Sequence, residues 1–213
     1  MFSKDLCMLL AVSEAEMFIG ATAPNPPVGA CVVRDQKVLA VGAHLVAGSE
    51  HAEVNAIEKT LRLFGPEALR GATLFSTLEP CNHFGKQPPC TKAIVEAGIK
   101  HVVVGSRDPN PNVAGGGIDA LKKAGITVEV GCMQSKCDAL IAPFTKWTKT
   151  GLPWVVHKLA YRITKDGEYS MIPDAGSNTF TSEQSLRDAH LERRRSDAIL
   201  TGIGTVMADF PKF

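Results

Sequence analysis

His51-Ala52-Glu53, followed by Pro80-Cys81-Asn82-His83-Phe84-Gly85-Lys86-Gln87-Pro88-Pro89-Cys90, sets one imidazole, two potential thiolates and one carboxylate in a fixed order. Three N/S ligands leave a tetrahedral Zn2+ with one position open to water, whereas a structural zinc site takes a fourth protein ligand and closes. His51, Cys81 and Cys90 are therefore the candidate ligands of a catalytic zinc. Glu53 stands two residues beyond the imidazole. On a helix its carboxylate projects away from the ligand direction, which suits a proton-transfer group better than a fourth ligand. The other cysteines, Cys7, Cys31, Cys132 and Cys137, lie in apolar or unpatterned stretches with no ligand partner at a useful spacing, and are read as core filling.

The segments around these motifs predict the fold. Residues 50–64 have helical spacing, with His51 and Glu53 in the first turn, and 74–77 read as a strand that delivers Cys81 through Pro80. Upstream, 3–20 read as a helix, and 28–33 and 38–42 flank Asp35-Gln36-Lys37 as a hairpin. Downstream come a helix over 90–97 ended by Gly98, a buried strand over 102–105, a loop at Gly115-Gly116-Gly117, a helix over 118–124 and a strand over 126–130. This β-α alternation predicts an α/β fold of three layers, a mixed sheet covered by helices on both faces. Near Thr150-Gly151-Leu152-Pro153 the pattern restarts with a predicted strand over 154–160. Two domains are expected, 1–150 and the start of a second α/β domain over 151–213.

With 213 residues, 45% hydrophobic and 21% charged, the chain has the composition of an ordinary globular protein. A net charge of +1 argues against the phosphate-tracking surface of a nucleic-acid binder and for a small-molecule substrate. Thiolate ligands suit a reducing compartment, so a cytoplasmic location is expected. Charged residues Lys4, Asp5, Glu14 and Glu16 interrupt the N-terminal stretch, which does not read as a signal peptide, and no run approaches the roughly 20 apolar residues of a membrane span. No nucleic-acid or membrane partner is expected, and self-association into a homo-oligomer is.

The H-x-E…P-C…C order is a signature of zinc-dependent nucleobase deaminases, which remove ammonia hydrolytically from an amino-bearing ring carbon. Eight residues separate Cys81 from Cys90, in place of the two of the common P-C-x-x-C pattern. With this insert the motif reads P-C-x-H-x-G-x-x-P-P-C, and together with Ala23-Pro24-Asn25-Pro26-Pro27-Val28-Gly29 and Asp108-Pro109-Asn110-Pro111 it resembles the deaminase half of the bifunctional deaminase-reductase of riboflavin biosynthesis. The resemblance implies a cytidine-deaminase-like fold for 1–150. It implies as substrate 2,5-diamino-6-(5-phosphoribosylamino)pyrimidin-4(3H)-one, converted to 5-amino-6-(5-phosphoribosylamino)uracil. It also implies that Asn25, His44, His83, Asp108 and Asn110 contact pyrimidine and ribose, and that Lys86 meets the phosphate.

Beyond residue 150, Lys158-Leu159-Ala160, Asp166-Gly167, Thr181-Ser182 and the run from Gly204 to Pro211 resemble the start of the reductase half of the same enzymes. By that resemblance Ala160, Thr205 and Asp209 fall where the family contacts the nicotinamide cofactor, and Ser177 and Arg193 where it contacts the reductase substrate. A whole reductase domain needs roughly a hundred or more further residues, so NADPH is expected as a cofactor only where that domain is complete. Three alternatives stand beside this reading. One is another zinc deaminase, for a nucleoside, nucleotide or tRNA base; one is a zinc-stabilised module without activity, in which His83 would be the fourth ligand; one is a working bifunctional enzyme in a longer chain.

Overall fold

Asp35 and Gln36 both take left-handed backbone angles, φ 49° and 60°. Two such residues in succession match the right-handed twist of paired strands, and they turn β1 (Gly29–Arg34) directly into β2 (Lys37–Ala43). The predicted three-residue turn is thus two residues long, with Lys37 already in the second strand. The computed structural model describes residues 3–85, 87–110, 116–163, 165–170 and 182–209.

Before the hairpin runs α1 (Lys4–Glu16), which stops four residues short of the predicted end and is capped by the Ser3 hydroxyl accepting from the Leu6 N–H at 3.1 Å. After it come α2 (Ala52–Phe64), β3 (Thr73–Leu78), α3 (Cys90–Glu96), β4 (His101–Ser106), α4 (Gly116–Lys123) and β5 (Thr127–Val130). The strands form one sheet in the order β2-β1-β3-β4-β5. β1 is antiparallel to both β2 and β3, while β3, β4 and β5 run parallel, so the sheet is mixed as expected.

Alternation along β1 assigns the two faces. Ala30 and Val32 join Ala52, Ala56 and Ile57 of α2, Ile94 of α3 and Leu121 of α4 in one core. Cys31 and Val33 face the opposite way, into Cys7, Met8, Ala11 and Val12 of α1. That second core is closed by α5 (Gln134–Leu140), whose Cys137 packs into it; α6 (Ala142–Thr150) follows. Neither helix was predicted. Cys7, Cys31, Cys132 and Cys137 therefore fill or flank this core, far from any ligand role, and burial pushes the Cys31 and Cys137 thiols up to about 12.

Gly29 shows how tightly α1 sits on the sheet. A Cβ at this position would lie 1.9 Å from the Ala11 carbonyl oxygen. Gly29→Ala should therefore destabilise the protein at or above the upper end of about 1–3 kcal/mol, read as a lower denaturant midpoint with an unchanged m-value. A midpoint equal to wild type would show that α1 can move off the sheet without loss.

The chain divides into two compact units, Met1–Trp154 and Val155–Phe213. Beyond residue 154 the described elements are a short antiparallel pair, β6 (Arg162–Ile163) with β7 (Tyr169–Ser170), then α7 (Glu183–Arg194) and α8 (Ile203–Asp209). The strand expected over 154–160 is not formed. Those residues are irregular and Val155, Val156 and Leu159 are exposed. An extended apolar run becomes a strand only when a neighbour pairs its N–H and C=O groups, and beyond residue 150 the pairing among the described residues is between β6 and β7. No helix of the described residues is long and apolar enough to cross a membrane.

Candidate active site

The C-terminal ends of parallel strands, where open α/β sheets place their ligand crevices, here carry the conspicuous residues. β3 runs out into Glu79-Pro80-Cys81, β4 into Arg107-Asp108, and α2 begins beside them with His51 and Glu53. His51 is not within the first turn as predicted. It is the residue before the helix, in extended conformation, with its carbonyl accepting from the Asn55 N–H at 3.0 Å. That half-in position directs its ring off the end of α2.

The structure brings His51, Cys81 and Cys90 together: one donor atom from each lies within 4.8 Å of the others. His51 Nδ1 is 3.2 Å from Cys90 Sγ and 3.5 Å from Cys81 Sγ. Donors held about 2.0–2.3 Å from a tetrahedral ion stand roughly 3.5 Å apart, so the spacing and the soft N/S set both fit zinc. Local backbone contacts fix the long inter-cysteine insert at its base. The Cys90 N–H points at Cys81 Sγ at 3.3 Å, the Thr91 N–H donates to the Cys81 carbonyl at 3.2 Å, and the Thr91 hydroxyl donates to Asn82 Oδ1 at 2.8 Å.

These groups shift one another strongly. The Cys90 thiol, together with His51 and the Cys90 N–H, holds Cys81 down to about 4, in the thiolate range of a metal ligand. Cys90 is correspondingly raised by sharing its proton with Cys81, and further by burial and by Glu53. The hydrogen bond with Cys81 raises His51. Glu53 is almost wholly buried, at 3% exposure, and burial raises its carboxyl above the ordinary range, as suits a group that alternately takes up and gives a proton.

His44, also buried, stacks edge-on to His51 with ring centroids 5.5 Å apart. Its Nδ1 faces the Glu50 carbonyl at 3.0 Å, and a carbonyl can only accept, so Nδ1 carries the proton and Nε2 accepts from Asn25 Nδ2 at 3.1 Å. Burial lowers the His44 pKa, against the Glu50 carbonyl contact that raises it. The Asn25 amide is thereby oriented, its NH2 spent on His44 and its oxygen turned elsewhere.

Asp108 is half-buried. Its carboxyl is raised by burial, with Glu79 and Cys81 adding to the rise and His83 opposing it, which places Asp108 among those groups. Asp108 also accepts from the Asn110 N–H at 2.8 Å, joining the two predicted contacts in one turn. His83 is exposed. Lys86 lies outside the described residues, as does Ser177. Ala160 falls in the irregular stretch, Arg193 sits on α7 with its guanidinium 3.2 Å from His190 Nδ1, and Thr205 and Asp209 fall on α8.

Sequence reasoning missed three residues of this region. Ser76, on the α2-facing side of β3, donates to the Leu78 carbonyl at 2.7 Å and stands 3.3 Å from Glu53 Oε1. Thr77, on the other side, accepts from the Gly29 N–H at 3.1 Å. Glu79 accepts from backbone N–H groups of two other segments. Polar side chains inside a strand that ends in a ligand were the available signal.

Fold and donor set together define a zinc-binding deaminase of the cytidine deaminase class, and residues 1–106 match the cytidine and deoxycytidylate deaminase zinc-binding region. Within that class the chain is similar, over nearly its whole length, to the riboflavin biosynthesis protein RibD. It is 42% identical over 204 residues to RibD of Aquifex aeolicus (strain VF5), covering 96% of this chain and 55% of that protein. To RibD of Escherichia coli (strain K12) it is 44% identical over 204 residues, covering 96% and 53%. The crystal structure of a diaminohydroxyphosphoribosylaminopyrimidine deaminase/5-amino-6-(5-phosphoribosylamino)uracil reductase from Thermotoga maritima matches with a TM-score of 0.84 at 40% identity, over 97% of this chain and 57% of that one. The chain thus spans about half the length of the curated relatives it matches.

Proposed function

We propose that this chain deaminates 2,5-diamino-6-(5-phosphoribosylamino)pyrimidin-4(3H)-one to 5-amino-6-(5-phosphoribosylamino)uracil, with His51, Cys81 and Cys90 as the zinc ligands and Glu53 as the proton-transfer group. The observation that carries the reading is a buried, pKa-raised carboxylate beside three clustered N/S donors. Zinc held there supplies a water molecule acidified from about 15.7 towards about 7. Glu53 takes a proton from water and delivers it to a ring nitrogen, the remaining hydroxide adds to the amino-bearing carbon, and Glu53 then carries the added hydroxyl's proton to the amine, which leaves as ammonia as the C–N bond breaks and the carbonyl forms. The Asn25 amide oxygen, set by His44, accepts from an N–H of the base. Asp108, Asn110 and His83 surround the pyrimidine and ribose, and Lys86 binds the phosphate.

The second unit is proposed as part of a reductase-like domain, with Ala160, Thr205 and Asp209 towards a nicotinamide cofactor and Ser177 and Arg193 towards the ribosyl substrate. NADPH binding is proposed only for a completed domain. A small-molecule substrate, a reducing cytoplasmic setting and self-association accompany the reading. Its test is a single-turnover assay of zinc-loaded protein with the diaminopyrimidine phosphate, following ammonia with and without NADPH. Ammonia release independent of NADPH is the expected result. No release from the fully metallated protein would sink the proposal, and ribitol product formed by this chain alone would replace it with the bifunctional reading.

A further inference from the structure

Glu79 immediately precedes the Pro80-Cys81 step and is 4% exposed, yet it has no part in the chemistry described so far. Its main-chain N–H donates to the Ser106 carbonyl at 2.9 Å, continuing the β3-β4 pairing past the strand ends. Its carboxylate is shared between two further segments. Oε1 accepts from the N–H groups of Gly117 and Ile118, both at 3.2 Å, at the start of α4. Oε2 accepts from the Asp108 N–H at 3.4 Å, and Asp108 in turn holds Asn110. The same corner is sterically locked, because a Cβ on Gly117 would lie 1.8 Å from the Pro80 carbonyl oxygen. This explains why α4 begins at Gly116 and not at Ile118 as the glycine run suggested: a carboxylate satisfies its first N–H groups, and glycine alone allows the contact.

We infer that Glu79 is a positioning residue, which sets the Asp108-Pro109-Asn110 turn at a fixed place relative to Cys81 and so prepares the pyrimidine-ribose side of the site. The inference rests on the proposed substrate reading for its kinetic consequence, while the positioning itself does not. A buried carboxylate with two oxygens can accept from both segments at once; a carboxamide has one acceptor oxygen and an NH2 that can only donate. In Glu79→Gln the oxygen follows the two N–H groups of α4, and the NH2 is left facing the Asp108 N–H, donor against donor. Zinc ligation and the α4 start are kept, and the 108–110 turn is released.

The experiment pairs hydrogen exchange with kinetics on the zinc-loaded chain. Glu79→Gln should keep about one zinc per chain and a cooperative unfolding transition, speed amide exchange across 108–110 while the α4 amides stay protected, and raise KM for the diaminopyrimidine phosphate about tenfold with kcat within about twofold. Combined with Asp108→Ala, it should raise KM no further, since both changes act through the same turn. Loss of zinc or of folding in Glu79→Gln would overturn the inference in favour of a general structural role. Unaltered exchange over 108–110, or KM effects that simply multiply in the double variant, would overturn it as well. If wild type releases no ammonia from this substrate, the substrate reading fails and the exchange contrast alone decides the place of Glu79.

Discussion

Glu53→Gln should keep its zinc and its fold and lose deamination by about 10²–10⁴, or more, since one carboxylate serves several proton transfers. The amide has the size of the carboxyl, so the packing at the start of α2 is unchanged, and its oxygen can still face Ser76, 3.3 Å from Oε1 in the wild type. What it cannot do is gain and lose a proton. Burial raises the Glu53 carboxyl above its ordinary value, which favours its taking up a proton, and the variant has nothing to replace that capacity. Single-turnover ammonia release, normalised to zinc content and checked by circular dichroism, measures the effect. A variant that keeps more than about a tenth of wild-type activity would remove Glu53 from proton transfer and leave it a buried structural acid.

The first unit was largely legible in the sequence because its central strands β1, β3 and β4 bury both faces and announce themselves as apolar runs: Val102-Val103-Val104 and the Cys31-Val32-Val33 run needed no periodicity argument. The donors were legible because His, Glu and Cys at these spacings have few other uses. What escaped notice depended on tertiary contact. α5 is a short helix that forms against the α1 side of the sheet, where Cys137 completes a core that Cys7 and Cys31 began, and α6 follows it with no buried residue. Glu79 reads as one more charge before a proline until the fold brings Asp108 and Gly117 to its two oxygens. The strand expected over 154–160 failed for the converse reason. Its composition is right for a sheet, but pairing is a property of neighbours, and local pattern cannot supply one.

Cys81→Ser should reduce zinc from about one per chain to a small residual fraction, and the wild-type response to chelator should disappear with it. A serine hydroxyl does not ionise near neutral pH, whereas Cys81 is held near 4 by Cys90, His51 and the Cys90 N–H. The exchange therefore removes the most readily ionised donor of the three. Metal bound to the native state alone stabilises it by mass action, about 4 kcal/mol at a thousandfold excess over Kd, so the wild-type thermal midpoint should fall on chelation and the variant's should start low and not respond. Cys90→Ser should behave alike, because Cys90 is only 1% exposed at the start of α3 and its Sγ, 3.2 Å from His51 Nδ1, is likewise replaced by a hydroxyl that does not ionise. His83→Ala is the control that separates an open catalytic site from a closed structural one. His83 is exposed and lies outside the donor cluster, so its loss should leave zinc content unchanged while affecting substrate binding. Full zinc in Cys81→Ser would dismiss the ligand assignment. Zinc lost on His83→Ala would mean four protein ligands and no position for water, and the deaminase mechanism would go with it.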